Sequence, residues 1–296
     1  MRYVIENECL RAEIDSFGAE LKSLKRKSDE REYMWHGDPA YWGRTSPVLF
    51  PFVGAVRNKT YAHQGKSYSM GQHGFARDME FTFVSKKEEE IFFELRADAD
   101  TLQKYPFRFA LEIGYRLEGS SLIILWKVKN EGEEQMFFSI GAHPAFLCPI
   151  RGEDSKCGYG LKFGGLDTGI RHHGNTPEGM AVMEEEVLPL EQGTVRFTEG
   201  FFDKSTYMVE GKQTDQVSLM TPEGEPYVTV TFDAPLFAVW SPEGKNAPFV
   251  CIEPWYGRCD AVDFSGELKD RDYEMELAAD QVFEASYRIG IQPNVQ

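Results

Sequence analysis

The sequence predicts an all-β fold, a large antiparallel β-sandwich with few short helices. Apolar residues alternate with polar or charged ones over many short runs, which is the two-residue period of a strand with one wet face. The 296 residues include 22 Phe and 13 Tyr, and aromatic side chains favour strands. No long amphipathic helical pattern separates the runs, so the crossovers that a parallel sheet needs are missing and antiparallel strands are expected.

The clearest pair of strands lies in the middle of the first half of the chain. Apolar residues occupy every second position from Phe107 to Leu117 and again from Leu122 to Val128. The segment 118–120 between them, Glu-Gly-Ser, has the residue types of a tight turn, so a hairpin is predicted. Further strands are predicted, in chain order, at Tyr3–Ile14, Phe81–Val84, Ile91–Leu95, Met136–Ile140, Tyr227–Phe232, Leu236–Trp240 and Phe249–Ile252.

One helix and one long loop complete the pattern. In DADTLQKYP, Asp98 or Asp100 can cap the first turn of a helix and Pro106 prevents its continuation. The glycine-rich segment from Arg151 to Gly179 is the long loop that the pattern predicts. Long loops carry function, so we expect it to form the rim of a site.

Composition and charge restrict the partners. With 32 basic and 48 acidic residues, the net charge is −16, which repels nucleic-acid phosphates and anionic lipid headgroups. We therefore expect the protein to bind a small molecule and to bind neither nucleic acid nor a membrane. The protein itself is expected to be a monomer or a homodimer. An anionic ligand would need a local basic pocket.

The cysteines and the N-terminal stretch indicate the compartment. Five cysteines form an odd set without C-x-x-C spacing, which argues against a disulfide framework and a zinc ribbon. The first residues carry charges and no apolar signal region, and no run of about 18 apolar residues occurs. These features predict a cytoplasmic protein.

Because all-β domains of about 200–250 residues fold as one unit, residues 1–296 are predicted to form a single domain.

Generic motifs of nucleotide binding and serine hydrolysis are missing. Gly65-Lys66-Ser67 ends like a phosphate-binding loop, but Thr60 stands where that motif needs its first glycine. The sequence also has no G-x-G-x-x-G, no H-E-x-x-H and no G-x-S-x-G. Nucleotide cofactors and serine-hydrolase chemistry are therefore not expected.

The six histidines divide into two groups. Four lie in polar surroundings and are interpreted as solvated surface residues: His36, His63, His172 and His173. The other two, His73 in GQHGFAR and His143 in IGAHPAF, stand beside small residues at the edge of apolar runs, where the chain can approach a ligand closely. Each of these two is either a ligand-facing side chain or a hydrogen-bonded core histidine.

Among the many carboxylates, Glu253 stands out by its context. It follows the apolar run from Phe249 to Ile252 and precedes Pro254-Trp255. Burial there would raise its pKa towards the range useful for a general acid or base. The alternative is a structural ion pair with an arginine.

Five segments together resemble the aldose 1-epimerase, or galactose mutarotase-like, family. They are GAELKSL (18–24), PVLFPFVGAVRN (47–58), HGFAR (73–77), GAHPAF (141–146) and IEPWYGRCD (252–260). They occur in the family's order, and the resemblance is closest to a bacterial branch of uncertain sugar specificity. It implies a β-supersandwich with a sugar-binding cleft on one sheet face, and neither a cofactor nor a metal.

The resemblance also implies the site residues. His143 and Glu253 are the expected catalytic pair, and Arg57, His73 and Asp203 are the expected sugar-binding side chains. The family's third acidic position is filled either by Asp203 or by a neighbouring residue.

The implied reaction interconverts the α and β anomers of an aldose. Glu253 is expected to take the proton of the C1 hydroxyl while His143 protonates the ring oxygen, so that the ring opens and then closes on its other face. A histidine with an ordinary pKa of about 6.5 could give and regain that proton near neutral pH.

Two alternatives stay open. Arg57, Lys59 and Arg77 form a local basic set, which would suit a hexose-6-phosphate 1-epimerase, although Arg77 could instead form an internal ion pair with a neighbouring acid. The other alternative is a non-catalytic carbohydrate-binding protein, because sandwich folds also bind sugars without reacting them.

Overall fold

The computed structural model describes residues 1–204 and 206–292, and the regular secondary structure of this part of the chain is mostly β-strand. Its strands are β1 (Arg2–Glu6), β2 (Leu10–Asp15), β3 (Glu20–Arg26), β4 (Arg31–Glu32), β5 (Val48–Leu49), β6 (Thr60–His63), β7 (Lys66–Ser69), β8 (Thr82–Lys86), β9 (Glu90–Arg96), β10 (Phe109–Glu118), β11 (Ser121–Asn130), β12 (Met136–Phe138), β13 (Ile140–Ala142), β14 (Ala145–Leu147), β15 (Gly160–Phe163), β16 (Gly169–Asn175), β17 (Ala181–Pro189), β18 (Thr194–Arg196), β19 (Tyr207–Val209), β20 (Gln216–Met220), β21 (Pro226–Phe232), β22 (Leu236–Trp240), β23 (Phe249–Tyr256), β24 (Met275–Leu277) and β25 (Val282–Ile291). The helical segments are α1 (Ala99–Lys104) and 3₁₀ turns at Arg57–Lys59, Ala76–Asp78 and Leu268–Asp270. The predicted all-β class is confirmed.

Two large antiparallel sheets form the body of the described chain. The first has nine strands, in the order β18-β15-β20-β21-β25-β11-β10-β9-β8. The second has eight, in the order β17-β16-β19-β22-β23-β13-β5, with β14 also paired to β23. One apolar cluster contains side chains of both sheets, such as Leu111 and Tyr287 of the first and Val239 and Ile252 of the second. The sheets therefore pack face to face as the predicted sandwich.

The predicted hairpin and helix are both present. Strand β10 pairs with β11, with Leu117 opposite Leu122. The turn between them places Gly119 at a φ of 55°, which suits a residue without a side chain. Helix α1 begins after Asp98, whose carboxylate accepts a hydrogen bond from the Thr101 N–H at 2.8 Å. Asp98 is thus the capping residue of the two candidates.

Some predicted boundaries are wrong, for identifiable reasons. The run Tyr3–Ile14 is two strands, because the Asn7 side chain accepts hydrogen bonds from the N–H groups of Cys9 and Leu10 and turns the chain. The glycine-rich segment 151–179 contains β15 and β16 instead of a single loop. Gly160 is part of β15, and a glycine is required there because the Val195 carbonyl oxygen would be 2.3 Å from any Cβ.

A smaller sheet fixes the loop that precedes β5. Strands β1–β4 form a separate four-stranded sheet within the described residues. The buried Glu20 of β3 accepts hydrogen bonds from the N–H groups of Thr45 and Ser46, at 2.7 and 2.9 Å. The Thr45 carbonyl oxygen accepts the N–H of Ala145 in β14, so the end of the loop 36–44 is joined to both this sheet and the second large sheet.

Two further predictions concern the chain as a whole. The helices in the described ranges are all too short and too polar to cross a membrane. The single-domain organisation, the oligomeric state and the cytoplasmic location stay predictions.

Candidate active site

Strand pairing places His143 opposite Glu253. Gly141 of β13 pairs with Trp255 of β23, and Ala145 of β14 pairs with Cys251 of the same strand. His143 lies midway between these two pairs, in the short link between β13 and β14. Its Nε2 is 3.3 Å from Oε2 of Glu253, and both side chains are buried. The structure therefore brings the expected catalytic pair into contact.

Glu253 lies inside its strand and not at the end of it. The apolar pattern predicted a strand that ends at Ile252, but β23 continues to Tyr256. Glu253 pairs with Ala238 of β22 on one side. It is 1% exposed, so its carboxyl group reaches the site from the centre of the sheet.

Aromatic rings enclose the imidazole of His143. The Trp42 ring stacks on it with a centroid distance of 4.6 Å and an interplanar angle of 27°. Trp240 and His73 approach edge-on, at 5.4 and 5.5 Å. The imidazole is therefore surrounded by groups that keep water away.

This enclosure sets the protonation of the pair. Burial raises the pKa of Glu253 well above its ordinary value. Burial, together with the positive charges of Arg77 and Arg44, lowers the pKa of His143 to about 3. The expectation of an ordinary histidine pKa is therefore wrong. Both shifts favour the uncharged form of each group.

His73 is fixed by its backbone and by a hydrogen bond. Its φ is 64°, and Gly74 follows with a φ of 70°. A Cβ at Gly74 would lie 2.2 Å from the Phe50 carbonyl oxygen, so a side chain there is excluded. The Nδ1 of His73 accepts the N–H of Gly54 at 3.1 Å. The other ring nitrogen of neutral His73 therefore carries the proton and is a donor.

His73, His143 and Glu253 line a cavity of about 570 Å³, which we call the cleft. Trp42, Trp240 and Trp255 supply aromatic surface, and Arg44, Arg77 and Lys245 supply positive charge. The cleft is within the size range of small-molecule sites. Asn175, Pro177, Glu178 and Gly179 also line it, so the end of the segment 151–179 does contribute a rim.

Of the two arginines that line the cleft, Arg77 has the charge that nearby acidic groups balance less well. Its Nη2 donates to the Gln72 carbonyl oxygen at 2.7 Å, and its Nε is 3.8 Å from the nearest Asp78 oxygen. Asp78 also accepts a hydrogen bond from Arg44 at 2.8 Å. Burial and the nearby charge of Arg44 lower the pKa of Arg77 to about 10. The ion pair between Arg77 and Asp78 is thus long, and Arg77 shares the Asp78 carboxylate with Arg44.

Two of the expected sugar-binding residues lie outside the cleft. Arg57 is exposed, donates to the Phe264 carbonyl oxygen at 2.9 Å and lines a neighbouring cavity. Asp203 accepts the N–H of Gly244 at 3.0 Å and lines a different cavity, beside Lys156. Neither residue lines the cleft that contains His143 and Glu253.

Two histidines were wrongly interpreted as surface residues. His63 and His172 are buried and pack against Phe107 and Tyr207, each at a centroid distance of 4.9 Å. Neither lines the cleft. They are core residues, whose aromatic partners come from distant segments of the chain and were not visible in the local sequence pattern.

The sequence pattern also gave no indication of Trp42, Arg44, Trp240 and Lys245 as site residues. Trp42 and Arg44 lie in an irregular loop, and the Trp42 carbonyl oxygen accepts the indole N–H of Trp35 at 2.9 Å. Trp240 looked like an ordinary strand residue. The five tryptophans are spread along the sequence, so no local signal marks Trp42 and Trp240 as neighbours of His143.

A metal ion is not favoured at the pair. His143, Cys251 and Glu253 have ligand atoms within 4.8 Å of one another. Cys251 is fully buried, however, and burial raises the pKa of its thiol well above the ordinary value. A metal ligand must be a thiolate, so this set is poorly suited to a metal.

Comparison with known proteins agrees with the geometry. A family model described as Aldose 1-epimerase matches residues 1–269. The chain belongs to the aldose 1-epimerase family. The structure of a galactose mutarotase related enzyme from Lactobacillus acidophilus is 31% identical, with a TM-score of 0.92 over 99% of this chain and 98% of that one. A galactose mutarotase-like protein from Lactobacillus casei ATCC 334 is 30% identical, with a TM-score of 0.93 over 99% of this chain and 100% of that one.

A curated relative is also similar over its whole length. Protein LacX, chromosomal, from Lactococcus lactis subsp. lactis is 29% identical over 98% of this chain and 99% of that protein. The predicted family and the galactose mutarotase-like fold are confirmed. Membership of the aldose 1-epimerase family supports a general role as a carbohydrate epimerase, an isomerase that binds a sugar.

Replacing Trp42 with leucine tests how the rings control His143. The substitution removes the stacked ring and admits water, so we expect the pKa of His143 to rise from about 3 by about 1 to 2. An NMR titration of the imidazole measures the pKa, with His63, which lies outside the cleft, as the reference in the same spectra. An unaltered His143 pKa would show that Trp42 is not the ring that keeps it dry.

Proposed function

We propose that this family member is an aldose 1-epimerase that interconverts the α and β anomers of an aldose, with Glu253 and His143 as its base and acid. The observation that carries the proposal is the 3.3 Å contact between a buried carboxyl group and a buried imidazole at the wall of the cleft. Mutarotation needs one base and one acid placed around the anomeric centre, and the pair supplies both.

The proposed reaction has two halves, ring opening and ring closure, and the second half reverses the proton transfers of the first. Glu253 takes the proton of the C1 hydroxyl while His143 gives a proton to the ring oxygen, and the C1–O5 bond breaks. The resulting aldehyde rotates about C1–C2. His143 then takes the proton of the C5 hydroxyl as its oxygen attacks C1 from the other face, and Glu253 returns a proton to the former carbonyl oxygen. Both groups end as they began.

The working form holds the same single proton as the free pair. In this form His143 carries the proton and Glu253 is the carboxylate, with Nε2 and Oε2 3.3 Å apart. A bound aldose favours this form, because the C1 hydroxyl donates to the carboxylate and the ring oxygen accepts from the imidazolium.

Other cleft residues have supporting roles in the proposal. His73 offers a ring N–H, and Arg77 offers a guanidinium whose Nε has no hydrogen-bond partner among the described residues. Donors of this kind hold sugar oxygens and stabilise negative charge that develops on them. We therefore assign to Arg77 the sugar-binding role that the sequence suggested for Arg57.

Glu253→Gln is the direct test of the acid–base pair. The amide keeps the size of the side chain but cannot take a proton, so we expect kcat for catalysed mutarotation to fall by about 10²–10⁴. Polarimetry with freshly dissolved α-glucose and α-galactose measures the rate above the spontaneous reaction. Glu276→Gln, at an exposed carboxylate of β24, is the control that should retain activity.

Near-normal turnover in Glu253→Gln would overturn the mechanism. Saturable sugar binding to the unmodified protein without any acceleration of anomer exchange would instead support the non-catalytic carbohydrate-binding alternative.

The pKa shifts predict an unusually flat pH profile. As the pH falls, the pair gains a second proton only near the His143 pKa of about 3. As the pH rises, it loses its one proton only above the raised pKa of Glu253. We therefore expect kcat/KM to be constant over about pH 5–7. A full titration step near the ordinary histidine pKa of about 6.5 would contradict this assignment.

A hexose 6-phosphate is the second candidate substrate. Arg44, Arg77 and Lys245 line the cleft of a protein whose net charge is −16, and a local basic pocket is what an anionic ligand would require. The basic set suggested by the sequence is divided in the structure, because Arg57 and Lys59 line the neighbouring cavity.

Comparing kcat/KM for glucose and glucose 6-phosphate separates the two candidates. On the first proposal, the value for glucose equals or exceeds the value for the phosphate. The second candidate predicts the opposite order, and it predicts that Arg77→Met removes the advantage of the phosphate, because the lost charge contact costs about 2–5 kcal/mol. Loss of activity on both sugars alike in Arg77→Met would fit the first proposal.

A further inference from the structure

The loop between β22 and β23, residues 241–248, forms part of the wall of the cleft. Glu243 and Lys245 of this β22–β23 loop line the cleft. Trp240, the last residue of β22, directly precedes the loop and approaches the His143 ring edge-on at 5.4 Å. The conformation of the loop therefore affects both the wall of the cleft and one of the rings around the imidazole.

Lys156 contacts both ends of the β22–β23 loop. Its Nζ donates hydrogen bonds to Oγ of Ser241 at 2.9 Å and to the carbonyl oxygen of Ala247 at 2.6 Å, and both bonds are buried. Lys156 is 7% exposed and lines a different cavity, not the cleft. One ammonium group thus binds the two ends of the loop from outside the cleft.

Other contacts of the β22–β23 loop are longer and exposed. Lys245 donates to the Tyr41 carbonyl oxygen at 3.2 Å, and Asn246 donates to the Asp154 carbonyl oxygen at 3.3 Å. Water competes for exposed hydrogen bonds, whereas buried bonds from a charged donor are stronger. The two Lys156 bonds therefore hold the loop more firmly than these exposed contacts do.

The buried charge of Lys156 has little compensation. Its ammonium group lies 5.2 Å from the centre of the Phe202 ring, but it forms no ion pair in the described part of the chain. Burial lowers the pKa of Lys156 to about 8. Taking an ammonium group out of water without an acidic partner is costly, so an apolar side chain of similar length should be at least as stable here.

The two acceptors of Lys156 also have other partners. The Ser241 hydroxyl donates to the Phe249 carbonyl oxygen at 2.9 Å, and the Ala247 carbonyl oxygen accepts the Phe249 N–H at 2.8 Å. Removing the ammonium group therefore leaves neither acceptor without a hydrogen bond. The structure gives no reason of stability for a lysine at this position, which points to a role in the site.

We propose that Lys156 is a positioning residue for the reaction, which holds the β22–β23 loop so that Trp240 and Lys245 keep their places around the cleft. Lys156 does not line the cleft and acts through the loop. This inference rests on the proposed function. It predicts that stability and activity respond differently when the ammonium group is removed.

Lys156→Met is the first test. Methionine is apolar and similar in length, so we expect the melting temperature Tm to stay within about 3 °C. With the loop released, we expect KM for glucose or galactose to rise about tenfold and kcat to change less than about threefold. Anomer-exchange NMR gives both constants. Lys162→Met, at an exposed lysine of β15 that lines neither cavity, is the matched control and should change none of these values.

The pKa of His143 gives a second measurement, which does not depend on activity. Release of the loop lets water reach the imidazole past Trp240, so an NMR titration should show a pKa about 1 higher in Lys156→Met than in the unmodified protein. Ser241→Ala removes one of the two hydrogen bonds and keeps the charge of Lys156. It should shift KM and the His143 pKa in the same directions, which separates release of the loop from loss of the charge.

Two results would overturn the proposal. One is an unchanged KM with an unchanged His143 pKa in both Lys156→Met and Ser241→Ala. The other is a Tm lower by about 10 °C in Lys156→Met with a parallel loss of kcat, because Lys156 would then stabilise the fold as a whole. If the unmodified protein does not accelerate anomer exchange but the His143 pKa rises in both variants, the proposed reaction is rejected and the positioning role is retained.

Discussion

The site depends on the pairing between β23 and the chain around His143. Pairs on either side of His143 set it opposite Glu253, so two residues that are distant in sequence meet at 3.3 Å. A shift of one residue would turn Glu253 to the other face of the sheet. Gly141 helps to fix the pairing, since a Cβ there would lie 2.7 Å from the Trp255 ring.

The surroundings of the pair follow from the same arrangement. Because both groups are buried, separate charges on them are costly, and the neutral form of each group is favoured. The ring of Trp42 completes the enclosure, although its loop belongs to neither large sheet. Glu20 holds the end of that loop and the Trp35 indole holds its centre. The N-terminal sheet therefore contributes to the electrostatics of a site that it does not touch.

Local sequence patterns predicted the features that depend on residues close together in the sequence. Two-residue alternation identified the β10–β11 hairpin, and residue types identified the Asp98 cap. His143 and Glu253 were suggested by short motifs, but their contact depends on strand pairing that no local pattern shows. Arg57 was assigned to the sugar site by its motif alone, but in the fold it lines the cavity next to the cleft. Trp42 was missed because tertiary contacts position its loop.

The charges of the cleft decide how it is best described. Arg44 is compensated by Asp78, and Lys245 lies 3.2 Å from the Tyr41 carbonyl oxygen. Arg77 is left with an Nε that has no partner in the described chain. One such guanidinium can hold sugar oxygens and stabilise the charge that develops on them as the ring opens. Lys245 also has no ion pair in the described chain, but it is exposed and water screens its charge, whereas the Arg77 side chain is only 15% exposed. The strongest positive charge in the cleft is therefore a single guanidinium, which suits an uncharged sugar better than a phosphate dianion.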